Sequence, residues 1–489
     1  MKRILVTGIT LLSLVVCYSQ TTNDFNEFRQ GILNSFSQER NSIQNDYRSF
    51  RNGINADYAN FLRNAWSNLT SFAPIPKPQD KQPAPPIVFE EGQSTAPVII
   101  ESKPVFVPKT EPSPTPISPI EQNEVPTSQR IVNFYGLDIP VRIPSSSSLS
   151  ILANENDIAS KWEDFSDGRF DNSLYDLLAI KQSNQLCDWA YLELVENFSK
   201  EYFSNDNAAS LLTAWLLCQS GYQIRLARDS NSIIVLFASN HTIFDNSYFI
   251  VDGIKYYPLK TGANNIKICN AKFKGETPLS LSITKEQRLG SNMSDKRSIK
   301  SSRYPNLSAS VSVNKNLIDF YNNFPTSAIG GNPLSRWGIY ANTPFSSESS
   351  SSLYSQLRSS LSNCSTQEAV ERLLNWVQTG FQYEYDDVVW GHDRAFFAEE
   401  SLYYPYCDCE DRSILFSHLV RDICGLNVAL VYYPNHLATA VRFNEPISGD
   451  AVIINGEKYV ICDPTYIGAK VGHQMPGLDC SQVRTLVLK

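Results

Sequence analysis

The chain of 489 residues carries 42 Lys and Arg against 50 Asp and Glu, a formal charge of −8. That length allows two or three domains, and a hydrophobic share of 42% with 11% aromatics is ordinary for a protein with sizeable cores. The acidic balance and the lack of any Lys/Arg run exclude a basic footprint of the kind that binds nucleic acid.

The N-terminus reads as an export signal. Lys2 and Arg3 precede the mostly apolar run Ile4–Val16, and Cys17-Tyr18-Ser19 offers small residues ahead of a cut before Gln20. This places the protein outside the cytoplasm, in a periplasmic or extracellular compartment. Cys17 would suit a lipid anchor less well, because Val16 is bulkier than the small residue such sites prefer. The apolar run is too short for a membrane span, and no later stretch approaches 18 apolar residues. Of ten cysteines, nine would remain after cleavage, an odd number that leaves at least one thiol unpaired.

Residues 23–66 repeat every eleven positions. Aromatic residues recur at Phe25, Phe36, Tyr47 and Tyr58, and isoleucines at Ile32, Ile43 and Ile54. Eleven residues in three turns keeps these side chains on one stripe of a long helix. Such a stripe needs a partner, which could be a second copy, another part of this chain or a membrane surface. Composition then changes abruptly, with fourteen of the 27 prolines between Ala73 and Pro126. That reads as an extended, semi-rigid spacer.

From Ile131 the chain patterns as globular. Helical periodicity marks Asp171–Lys181, Asp188–Phe203 and Asn207–Gln219, and the runs YQIRLA, SIIVLFA and YFIVDGIKYYPL read as strands. Short alternating runs over 266–325 suggest a small antiparallel unit, and Ser346–Ser352 a serine-rich break. The expected organisation is a signal peptide over 1–19, an eleven-residue-repeat helix over 20–70 and a Pro-rich linker over 71–130. An α+β domain over 131–265, a β-rich connection over 266–345 and a last domain over 346–489 follow.

The last domain carries the chemistry. Cys409 opens a helix that runs to about Cys424 and stops at Gly425. A thiolate there is favoured by the helix dipole and the free N–H groups, provided that Glu410 and Asp411 point away. His436 heads the strand LATAVRF, and the strand KYVIC delivers Asp463 at its end. Cysteine, histidine and aspartate in that order can serve as nucleophile, base and orienting acid. Gln382 and Trp390 are candidates for a second oxyanion donor beside the Cys409 N–H. A rival reading takes Cys407, Cys409, Cys424, His436 and Cys462 as zinc ligands, but no second paired-ligand motif accompanies the C-x-C.

The segments CEDRS, NHLATAV and CDPT resemble the transglutaminase-like superfamily, particularly its bacterial members thought to be cysteine proteases or amidases. The resemblance covers about residues 360–475. It maps the family's nucleophile onto Cys409, its base onto His436 and its orienting acid onto Asp463. It implies a papain-like α+β core and acyl transfer from amide carbonyls of a protein or peptide substrate, with no metal and no cofactor. Leu437 departs from the small-then-aromatic residues that follow the histidine in many relatives. The alternative function is a non-catalytic peptide-binding or assembly protein that self-associates through residues 23–66 and uses the same fold as a scaffold.

An internal likeness accompanies this. Placing Gly221 on Gly425 aligns residues before Lys260 with the last domain, with Asn205 on Cys409, Ser232 on His436 and about Lys260 on Asp463. Residues 150–265 are then expected to be a second copy without its triad.

Overall fold

A computed structural model describes residues 22–78, 85–90, 96–105, 112–117, 128–145, 150–260, 262 and 264–488. The expected export signal and Cys17 lie outside them. The architecture is mixed α+β, and no described helix is long and apolar enough to cross a membrane.

The eleven-residue repeat forms one helix, α1 (Thr22–Asn64). Its last turns find their partner in the same chain. Tyr58 stacks on Phe273 and packs on Trp162, both with ring centroids 4.5 Å away. Asn55 accepts from Trp162 Nε1 at 3.0 Å and from Gln219 Nε2 at 3.0 Å, and Arg51 pairs with Asp171 at 2.7 Å. Leu33, Phe50 and Phe61 remain exposed.

Two six-stranded sheets form the body. The first uses β1 (Trp66–Thr70), β3 (Ile224–Arg228), β4 (Ile233–Ala238), β5 (Phe249–Val251), β6 (Ile254–Pro258) and β7 (Asn265–Cys269). The second uses β2 (Ile99–Ser102), β8 (Asn427–Tyr433), β9 (His436–Arg442), β10 (Ala451–Ile454), β11 (Glu457–Cys462) and β12 (Arg484–Val487). Their spatial orders are β1-β7-β3-β4-β6-β5 and β12-β8-β9-β11-β10-β2. Setting β3 to β7 on β8 to β12 makes the two orders identical, and every pairing within those five strands is antiparallel in both.

A buried helix precedes each set, α2 (Asp206–Gln219) before β3 and α4 (Cys409–Leu419) before β8. All eleven residues of α4 are buried, the polar Glu410, Asp411, Arg412, Ser413, Ser417 and His418 included. Each lies across the middle of its sheet, α2 on β4 and α4 on β9.

Three expectations need correction. The spacer is extended, but its described parts are not free. β2 adds in parallel to β10 of the second sheet, while β1, just ahead of the spacer, extends the first sheet beside β7. Ile117 N–H reaches Gln219 O at 3.1 Å. Proline-rich backbone suits sheet edges, where one side of the strand needs no ladder. The serine-rich break is instead a helix, Ser347–Leu361, capped by Ser346. Its buried Leu353, Leu357 and Leu361 recur every four residues, a stripe masked by the serines between them. The boundary at residue 265 cuts through β7, and the region after it holds the helices Lys315–Asn323 and Ser335–Asn342 beside one hairpin.

Candidate functional site

The sequence-predicted residues stand where the strand and helix ends were expected. Cys409 is the first residue of α4, with Asp408 as its N-cap. The helix continues through a π turn, Val420–Cys424, and ends at Gly425, whose φ of 68° is the left-handed conformation that glycine permits. His436 is the first residue of β9, and Asp463 follows β11 directly.

His436 and Asp463 meet in the interior. His436 Nε2 lies 2.8 Å from Asp463 Oδ2, and both side chains are shut off from solvent. The other Asp463 oxygen accepts from the N–H groups of Thr465 (2.9 Å) and Tyr466 (3.3 Å), so the carboxylate cannot rotate away. The other imidazole nitrogen, Nδ1, is buried and has no partner among the described residues. The backbone N–H of Leu437, the residue after His436, points at the Cys409 sulfur and favours its thiolate. The α4 tip and the head of β9 therefore face each other.

The proviso about the acids is not met. Glu410 turns back, and the Cys409 thiol donates to its Oε2 at 3.1 Å. Burial pushes the Cys409 thiol well up, and the carboxylates of Glu410 and Asp408 push it further. Asp386, Asp408, Glu410 and Asp411 are all buried and all held above the ordinary carboxylate range, first by burial and then by neighbouring carboxylates: Glu410 for Asp386 and Asp408, Asp393 for Glu410, and Asp386 for Asp411. Asp386 is pushed up to about 8. Asp411 ties this group down by accepting from Phe396 N at 2.8 Å and Asp408 N at 3.3 Å. Oxygen atoms of Asp386, Asp393 and Glu410 lie within 4.8 Å of one another. The segment 386–393 thus rests on Glu410 beside the thiol. Lys77, from the spacer, caps that segment through the Asp393 carboxylate at 3.2 Å.

Two side chains escaped the sequence reading. Gln378, on α3 (Thr366–Gly380), is buried and its amide donates to the carbonyls of Asp463 (3.0 Å), Tyr466 (2.7 Å) and Ala469 (3.2 Å). Its oxygen accepts from Gly468 N at 3.1 Å. One side chain thereby fixes the loop that carries Asp463. The signal was a lone glutamine on the apolar face of a patterned helix. Tyr383 has a buried hydroxyl without a partner among the described residues. It lies close enough to Cys409, Asp408 and Glu410 for their charges to oppose its ionisation, after burial the largest cause. Nothing in its local pattern marks it. Of the earlier oxyanion candidates, Gln382 is exposed, and Trp390 packs against Tyr404 with centroids 4.8 Å apart.

The zinc reading finds no gathering of its ligands. Among the described residues, the groups with metal-ligand spacing are Asp408/Cys409/Glu410 and Asp386/Asp393/Glu410, and neither includes Cys407, Cys424, His436 or Cys462. The nine described cysteines are free thiols. His418 is buried mid-helix against Phe345, with desolvation lowering its affinity for a proton. Exposed His392 lies within the segment beside Glu410 and contacts Trp390 O at 3.0 Å.

No family model, curated protein or solved structure matches the chain.

Proposed function

We propose that residues 346–489 form a transglutaminase-like cysteine hydrolase or acyltransferase domain with Cys409, His436 and Asp463 as its triad, acting on peptide or isopeptide amides outside the cytoplasm. The observation that carries this reading is the buried His436–Asp463 pair at 2.8 Å, which leaves the second imidazole nitrogen unpartnered beside a helix tip that bears a thiol. A purely structural histidine would be expected to satisfy both nitrogens.

In this mechanism His436 takes the Cys409 proton, and the thiolate attacks the amide carbonyl carbon. The oxyanion gathers at the Cys409 N–H, with the Tyr383 hydroxyl as second donor. The C–N bond breaks as His436 returns the proton to the departing amine, leaving a thioester. Water or an amine then attacks the thioester, His436 accepts its proton, and the thiolate is released. Asp463 holds the imidazole in the orientation that both transfers need.

A second reading is favoured by one observation, the burial of Cys409 and its hydrogen bond to Glu410. On that reading the fold is a non-catalytic peptide-binding scaffold. The pH dependence of Cys409 alkylation by iodoacetamide separates the two. An apparent pKa below the ~8.5 of a free thiol, lost in His436→Ala, supports the triad. Labelling that starts only well above that value and is indifferent to His436 sinks it.

A further inference from the structure

The two sheets share more than their strand order. Tyr433 pairs with His436 across the hairpin of β8 and β9, and a shift of 204 carries this pair onto Asp229 and Ser232, where the Asp229 N–H reaches Ser232 O at 3.1 Å. Thr439 pairs with Cys462, and its counterpart Val235 accepts from Leu259 N at 3.0 Å. Lys260 then takes the place of Asp463. At the helices, Cys409 as first residue of α4 falls on Asp206, the first residue of α2 and one beyond the Asn205 that the sequence alignment reached. The π turn before Gly425 accommodates one extra residue and accounts for that slip.

These three counterparts are not scattered. Asp206, Ser232 and Lys260 line one cavity of about 330 Å³ in the first repeat. That size is within the range of small-molecule sites. Its walls join apolar Ile233, Val235 and Leu259 to two lysines and three acids, Lys200, Lys260, Glu196, Asp206 and Asp229. Lys260 and Asp206 stand 3.8 Å apart with side chains 54% and 86% exposed, so the charged heads remain open to a ligand.

We propose that the first repeat binds a small zwitterion, an amino acid or a short peptide with free termini, in the cavity that its fold places where the second repeat holds Cys409, His436 and Asp463. The carboxylate meets Lys260 and Lys200, the ammonium meets Asp206 and Asp229, and an apolar side chain or peptide backbone covers the aliphatic wall. The first repeat carries Asp206, Ser232 and Lys260 at the positions where the second carries Cys409, His436 and Asp463, with fixed charges of both signs around them. This assignment does not depend on Cys409 being a nucleophile.

Calorimetric titration of the full chain with trialanine tests it, with free alanine and N-acetyl-trialanine amide as comparison ligands. Saturable binding of trialanine, weakened at least about tenfold in Lys260→Glu and in the cavity-filling Ser232→Trp, is the expected result. Both positions are at the surface of the repeat, so circular dichroism should show both variants folded. Alanine binding as tightly as trialanine assigns the site to free amino acids, and weaker alanine binding assigns it to peptides. Equal binding of the blocked peptide, binding indifferent to both variants, or no heat with either zwitterion overturns the proposal.

Discussion

The Glu410 carboxylate sits 3.1 Å from the Cys409 sulfur and accepts a hydrogen bond from its thiol. It holds the thiol in the protonated form and opposes the thiolate that any nucleophilic role requires. Replacing Glu410 by Gln keeps an acceptor of the same shape and removes the charge. We expect Glu410→Gln to lower the apparent pKa of Cys409 alkylation by about one unit, tenfold in rate below that pKa. An unchanged profile would show that Glu410 turns away in solution.

Tyr383 offers a complementary test, because its hydroxyl is buried without a partner. Such a group costs stability that phenylalanine would not. Tyr383→Phe should therefore leave the melting temperature unchanged or raise it. If the hydroxyl serves the oxyanion, turnover should drop by roughly 10²-fold, as loss of one such donor does elsewhere. A parallel loss of stability and turnover would instead mark a packing role.

The acid group makes stability depend on pH. Asp386 is pushed up to about 8 by burial and by Glu410, so between the ordinary carboxylate value and about 8 the folded state binds more protons than the unfolded one. Stability must then fall as pH rises through that window. Thermal denaturation from pH 5 to pH 8 should show this decline, and Asp386→Asn should flatten it. A melting temperature that rises across the window in the wild type would contradict the arrangement.

Gln378 makes four hydrogen bonds to the loop after β11 while buried. Gln378→Ala leaves those carbonyls unsatisfied and should cost about 2–4 kcal/mol in denaturant unfolding. His436 should also lose its hydrogen bond to Asp463, seen as a change in the chemical shift of its imidazole N–H proton. Loss of stability with an unaltered imidazole resonance would show that the loop holds its position without Gln378.

Gly221 tests the docking of the spacer. Its φ is +90°, and a Cβ there would collide with the Thr115 backbone. Gly221→Ala should expel residues 112–117 and make them cleavable by limited proteolysis at concentrations that leave the wild type intact. Equal protection would mean that this stretch contributes nothing to the packing.

How legible all this was depended on the kind of interaction. The strand that ends at Asp463 and the helix that starts at Cys409 could be read directly, because apolar runs, a glycine stop and chain order are local. The Ser347–Leu361 helix was hidden because its three buried leucines are separated by serines that read as a break. Edge strands β1 and β2 were hidden for a different reason: their pairing partners, Asn265–Cys269 and Ala451–Ile454, lie far along the chain, and no local hairpin pattern marks them. The direction of the Glu410 side chain depends on packing beside segment 386–393, which no local pattern encodes.

The placement of β2 carries a consequence for how the chain comes into being. Ile99–Ser102 ladders with Ala451–Ile454, and Val105 N–H reaches Thr485 O at 2.6 Å. A ribosome adding roughly 5–20 residues per second needs on the order of 20–70 s to pass from one partner to the other. Through that interval the early strand has no ladder to join, and the edge it will cover does not yet exist. The second sheet can close only when Arg484–Val487 are made, so a chain cut short before them would display an apolar segment ready to pair with its neighbours.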